Sequence, residues 1–312
     1  MLVDDLPPLY RTAAHARASP EAAELRRAAA RGALVRLHQG VFTPSDDWAR
    51  LDAVARHRLR LRAVLPRLAG RVVVSHESAA ALHGLPLEGR GPTEVHVTDP
   101  ARTGGRRSAG VVTHCGPLPE GSVVEVDGQR VTSMLRTCVD LALRGRLRSS
   151  VPVLDAALRT GLVDEEGLLA ELEASGRVHG ARAARAAVLF ADGRAQLPGE
   201  SLTRVVLREL GAPAPILQQE FRDAEGRVGF VDFWFGEQRV VLEFDGDAKY
   251  TEARYRGGRS AERVALDERK RERRLLRLPE VREVVRTDWA EVHAPRRLAL
   301  ALRGAGVPLL HS

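Results

Sequence analysis

Three carboxylates, Asp232, Glu243 and Asp245, interrupt an otherwise apolar run, VDFWFGEQRVVLEFDGDAKY, over residues 231–250. Acids in a β-hairpin are costly to bury unless a metal ion, a basic partner or solvent meets them. Side chains alternate across a strand, so Glu243 and Asp245 share one face and Val240, Leu242 and Phe244 take the other. Reading Gly236-Glu237 as a two-residue loop pairs Phe235 with Gln238 and sets Asp232 opposite Val241. A four-residue loop pairs Asp232 directly with Glu243. Either register gathers the three acids on one face, whereas an odd-length loop scatters them. Gathered carboxylates repel and their pKa values rise unless a cation sits among them. A hard divalent ion, Mg²⁺ or Mn²⁺, is the cation that oxygen ligands select. Such an ion polarises a phosphate and activates water, which is the chemistry of phosphodiester hydrolysis.

The elements that must position these acids come in the order α-β-β-β-α-β-α. GESLTRVVLRELG reads as an amphipathic helix with Leu202, Val205, Val206 and Leu210 inward, ended by Gly211 and Pro213. ILQQEFRD, VGFVDFWF and QRVVLEFDG read as strands, and EVREVVRTDW as a later one. Between them SAERVALDERKRERRLLRL reads as a long charged helix. It carries Arg263, Arg269, Lys270, Arg271, Arg273, Arg274 and Arg277 among Glu262, Asp267, Glu268 and Glu272. This pattern suits either DNA contact, with Lys270 and Arg273 as candidates, or a salt-bridged solvated face.

An Asp on one strand and Glu-x-acid on the next is similar to the layout of PD-(D/E)XK nucleases. From about Pro198 to Val292 the chain resembles the endonuclease-like domain family related to very-short-patch repair endonucleases. The carriers are GESLTRVVLRELG, GFVDFWFGEQRVVLEFDGDAKY, DERKRERRLL and VREVVRTDW. The resemblance implies a restriction-endonuclease-like α/β fold over residues 196–312. It assigns catalytic roles to Glu200, Asp232, Glu243 and Asp245, with Mg²⁺ or Mn²⁺ as cofactor and DNA as substrate. Where the motif typically has lysine, this chain has Asp245; Lys249 and Lys270 are the candidates to replace it.

Upstream, PEAAELRRAAARG reads as a helix with Pro20 at its start and Gly32 at its end. LVRLHQGVF then reads as a tight hairpin around His38-Gln39-Gly40. Helix then hairpin suits the tail of a winged-helix unit over residues 1–50, with Arg26, Arg27, Arg36 and His38 towards phosphates. An ordinary helix and hairpin with a basic face is the alternative. Residues 51–190 read as a mixed α/β domain, and the Gly/Pro-containing joint 191–199 as a boundary. His76-Glu77 and His114-Cys115 lack metal-ligand spacing and read as structural. AARGALVRLHQGVFTP, VVVSHESAAALHGLP and VTSMLRTCVDLA resemble, more weakly, the AbiEi-type antitoxins. That resemblance implies a DNA-binding repressor with a nucleotidyltransferase toxin as partner.

Composition bounds these readings. A chain of 312 residues is long enough for two or more cores. A net charge of +7 favours a polyanionic partner, nucleic acid ahead of membrane. Cys115 and Cys138 form no CxxC pair, which speaks against a zinc ribbon or a disulfide framework. No apolar run reaches membrane-spanning length and the N-terminus lacks signal-peptide character, so a cytoplasmic protein is expected. The expectation is a metal-dependent endonuclease in phage defence or repair, the alternative a non-catalytic DNA-binding regulator.

Overall fold

A computed structural model describes residues 6–12, 19–68, 72–87, 92–176, 178–246 and 261–311. The fold is mixed α/β, with three sheets among the described residues. The chain divides into two units: residues 1–153 with 161–189, and residues 154–160 with 190–312.

The first unit opens with β1 (Tyr10–Arg11), α1 (Pro20–Ala30), β2 (Leu34–His38) and β3 (Val41–Pro44). Pro20 starts α1, as the sequence predicts, and Ser19 caps it. The three strands form one sheet in the order β1-β3-β2, and Gly40 turns the hairpin with φ of 68°. Residues 1–50 belong to the same unit as residues 51–153 instead of standing apart. The Arg11 guanidinium bonds the carbonyls of Arg62 and Ala63, and that of Arg67 bonds the Gln39 carbonyl.

Two helices follow, α2 (Ser45–Arg50) and α3 (Ala53–Val64), the second begun where Asp52 caps the Ala55 N–H. Then come β4 (Val73–Val74), α4 (His76–Leu82), β5 (Val95–Asp99), β6 (Arg106–Ser108), β7 (Val111–Cys115), β8 (Val123–Val126) and β9 (Gln129–Thr132). They build a mixed sheet of order β6-β7-β5-β4-β9-β8. Strand β6 is polar and wholly exposed, so it carries no hydrophobic alternation to read. Helices α5 (Met134–Arg144), α6 (Leu147–Arg159), α7 (Glu165–Ala174) and α8 (Ala181–Phe190) come next. A core of Leu61, Val64, Val74, Leu82, Val95, Val97 and Val131 lies between α3, α4 and this sheet.

The second unit has α9 (Pro198–Glu209), β10 (Ile216–Asp223), β11 (Gly226–Phe235), β12 (Val240–Phe244), α10 (Ala261–Leu275), β13 (Glu283–Thr287), α11 (Trp289–His293) and α12 (Arg296–Gly304). The order of helices and strands is the expected one, apart from the short α11 that precedes the last helix. The sheet runs β10-β11-β12-β13, antiparallel except for the parallel β12–β13 pair. One face packs Phe233, Leu242, Phe244 and Val285 with Leu202 and Val206 of α9 and Leu298 and Leu302 of α12. The other packs Val231, Trp234 and Val241 with Leu275, Leu278 and Val281. Gly199 is required at the start of α9, since a Cβ there would stand 2.0 Å from the Phe244 ring. A buried ion pair fixes the base of α9: Asp155 accepts from Arg204 at 3.0 Å and from the Asp192 N–H at 2.7 Å.

Candidate functional site

The β11–β12 pairing sets Phe235 opposite Val240 and Phe233 opposite Leu242. The connecting loop is therefore the four residues 236–239, not Gly236-Glu237 alone. Arg239 closes it at φ of 59°, a left-handed position with no glycine to announce it. The next step of that register sets Asp232 beside Glu243. Glu243 is aligned with Arg286 on β13.

Asp232 is fixed at both oxygens. Oδ2 accepts the Phe244 N–H at 2.8 Å and Oδ1 accepts Gln218 Nε2 at 3.2 Å. Gln218 Nε2 also reaches Glu200 Oε2 at 3.2 Å, and Glu200 accepts the Gln196 N–H at 2.8 Å. One amide thus links the α9 glutamate to the strand aspartate. Gln218 sits at φ of 51°, an uncommon conformation for a non-glycine residue, where the β10–β11 pairing skips a residue.

Glu243 is 2% exposed. Burial pushes its pKa up, Arg271 opposes this, and the neighbouring charges of Asp232 and Glu268 add to the rise. Arg271, from α10, donates to Glu243 and, at 3.1 Å, to Glu268. Arg286 lies 3.5 Å from Glu243 and bonds Asp245 at 2.8 Å and Glu272 at 2.7 Å. Despite its partial burial, these acids hold the Arg286 guanidinium more firmly protonated than usual. Of the three partners that buried acids accept, a basic one is thus present. Carboxylate oxygens on Asp232 and Glu243, near enough that the Asp232 charge raises the Glu243 pKa, also fit a hard divalent ion in kind. Among the described residues no group of three acids, imidazoles or thiols stands ready to hold one ion. Asp245 is directed to Arg286 instead, so the pair Asp232 and Glu243 is the part of the expected ligand set that fits.

Lys249 lies outside the described residues. Lys270 and Arg273 are exposed on α10, while Arg271 and Arg274 are partly buried in ion pairs, Arg274 with Asp223 at 2.5 Å. The helix therefore has a salt-bridged, partly buried face and a basic exposed one. On α1, Arg26 and Arg27 are exposed, and Arg27 bonds Glu24 at 2.7 Å. Arg36 is exposed as well, whereas His38 is half-buried and its Nδ1 is shut away from solvent. Burial, with the nearby arginines, lowers the His38 pKa.

Two groups escape a reading of the sequence. Arg286 has a signal, a cation in the apolar strand EVVRT. The second group is a histidine cluster in the first unit. His76 stacks on His114 with ring centres 3.6 Å apart, and His96 Nδ1 approaches His114 Nε2 at 3.1 Å and Glu77 at 2.8 Å. Their sources are α4, β5 and β7, so no local spacing marks them.

No family model matches the chain. It is 31% identical to uncharacterized protein Rv2248 of Mycobacterium tuberculosis strain H37Rv over 215 residues, 69% of this chain and 74% of that one. The same figures hold for uncharacterized protein MT2308 of strain CDC 1551. Among solved structures, the RV2827C protein from M. tuberculosis matches with a TM-score of 0.37 at 17% identity, over 71% of this chain and 86% of that one. None of the helices, among the described residues, is long and apolar enough to cross a membrane. By its identity and mutual coverage with Rv2248 and MT2308, the chain belongs to their family.

Proposed function

We propose that the second unit is a metal-dependent nuclease domain acting on DNA, with Asp232 and Glu243 as the acids that hold Mg²⁺ or Mn²⁺. The observation that carries this reading is the linked line Glu200–Gln218–Asp232 meeting Glu243 at the end of the β11–β12 hairpin. Gln218 keeps a strained backbone there, as residues at functional sites often do. When bound, the ion supplies Lewis-acid activation of the phosphate and of a water. The chain's own residues do the rest. Gln218 and the Phe244 N–H fix the Asp232 carboxylate, and Arg271 opposes the rise that burial imposes on the Glu243 pKa. Arg271 and Arg286 also bring cationic charge to a site whose third motif position is Asp245, a charge suited to a phosphate. The exposed Lys270 and Arg273 offer backbone contacts to DNA.

A second reading has its own support. Arg271 and Arg286 already pair with Glu243 and Asp245, so these two acids are balanced without an ion. A non-catalytic DNA-binding regulator, with Arg26, Arg27 and Arg36 on the N-terminal hairpin unit and a nucleotidyltransferase toxin as partner, is consistent with that balance. Incubation of plasmid, mismatched and single-stranded DNA with and without Mg²⁺ or Mn²⁺ separates the two. Cleavage that needs the ion and vanishes in Asp232→Ala and Glu243→Gln supports the nuclease. Calorimetric titration that detects no Mn²⁺ binding, even with DNA present, leaves the regulator.

A further inference from the structure

The first unit contains a cavity of about 500 Å³ lined in part by His76, His114, Arg136, Asp140, Arg144 and Glu171. Asp140 is 6% exposed and half satisfied. Its Oδ1 accepts from Arg136 at 2.8 Å, while its buried Oδ2 has no hydrogen-bond partner among the described residues. A buried acceptor left without a donor carries a full desolvation penalty, and such groups call for an explanation. The nearest imidazole nitrogen, His76 Nδ1, is 3.9 Å away and faces the Ser75 hydroxyl at 3.0 Å. His76 cannot supply the missing charge, because burial and the neighbouring His114 push its pKa down to about 2. It also sits at φ of 53°, a second strained non-glycine residue beside a cleft.

We propose that this cavity binds a small zwitterion of the α-amino-acid type, its ammonium on Asp140 Oδ2 and its carboxylate on Arg144. The ammonium is the donor that the free oxygen lacks, and its charge suits an acid whose other oxygen already faces one cation. Arg144 lies one helical turn beyond Asp140, on the same face of α5. Its side chain is exposed and only lightly held, by His114 Nδ1 at 3.2 Å. The one-turn separation suits groups as close as those of an amino acid and is short for the amine and phosphate of a nucleotide. Arg136 is unavailable for this, being tied to Asp140, the Pro117 carbonyl and Glu171.

The test is calorimetric titration of the full chain with each α-amino acid in turn, and with nucleoside monophosphates as the competing class. Saturable binding of at least one amino acid, weakened about tenfold or more in both Asp140→Asn and Arg144→Gln, is the expected result. Should Asp140→Asn fail to fold, Arg144→Gln, an exposed change, decides alone. The proposal is overturned if no amino acid binds at millimolar concentration, if binding ignores the variants, or if only the nucleotides bind.

Discussion

Glu243 in the second unit and Asp140 in the first are both almost fully buried carboxylates, and their neighbours differ in kind. Glu243 sits between Arg271 and Arg286, which are shared with Glu268, Glu272 and Asp245. Asp155 in the same unit is likewise matched, by Arg204 and a backbone N–H. Asp140 has one arginine and one empty oxygen, beside imidazoles that burial keeps neutral. A low-dielectric interior raises the worth of a matched charge and the cost of an unmatched one alike. Matching therefore lets Asp155 hold elements together and keeps Glu243 in place beside Asp232. The unmatched one is a liability that the fold retains, which is the property expected of a binding group.

The largest effect separates these roles most sharply. Asp155→Ala removes the partner of an arginine that is 7% exposed, and stranding one member of a buried pair costs roughly 3–5 kcal/mol. The second unit should melt well before the first, read by its own thermal transition. A fragment starting at Gln196 carries the same defect, since residues 154–160 belong to the second unit. It should be less stable than a fragment starting at Leu147. Equal melting of the two fragments would show that the ion pair contributes nothing.

That fragment also marks how far the sequence can be read. The acids on one hairpin face follow from strand parity alone, and the helix start at Pro20 from local chemistry. The length of the hairpin loop is hidden because Arg239 takes a left-handed conformation that its type does not advertise. Asp155 is invisible as part of the second unit because its partner lies 49 residues away. Arg286 joins Asp245 from 41 residues away, and His76, His96 and His114 meet through the parallel β5–β7 pairing. Local periodicity carries no information on such pairings; only the topology does.

Acid should act on the two units in opposite ways. Burial depresses the pKa of His57 and His114 to about 4 and that of His76 to about 2, from an ordinary value near 6.5. A depressed folded pKa gives stability that is present above the unfolded value and lost as the pH falls below it. Between pH 6.5 and 5 each fully buried imidazole then costs roughly 2 kcal/mol, less for the partly exposed His114. Asp140 works against this. Its pKa is raised to about 6, mainly by burial, so its contribution is present below about pH 4 and is lost as the pH rises through 6. In the second unit burial raises Glu243 and Asp155, which gives them the sign of Asp140 and not that of the histidines. Lowering the pH from 6.5 to 5 should therefore lower the melting temperature of the first unit and spare the second. Asp140→Asn should steepen the loss. A first unit indifferent to this pH change would mean that its imidazoles are already charged or solvated.

The smallest expected effect on stability falls on Gln218, and it asks whether the strain beside Asp232 has a use. A left-handed conformation costs a non-glycine residue roughly 1–2 kcal/mol, and glycine escapes that cost. Gln218→Gly also removes an amide that bonds Glu200, Asp232 and Gln196, at roughly 1 kcal/mol for each bond that water does not replace. These terms oppose one another, so the melting temperature of the second unit should change little. Function should change more. Without the amide, the Asp232 carboxylate loses its Gln218 bond and keeps that to the Phe244 N–H. Mn²⁺ affinity and DNA cleavage should then fall while the fold persists, with Gln218→Asn, whose amide is one methylene shorter, no better than glycine. If Gln218→Gly instead stabilises the unit by the full strain energy and leaves ion binding and cleavage untouched, the bridge has no role at the site. The left-handed residue would then be a local irregularity of β10 alone.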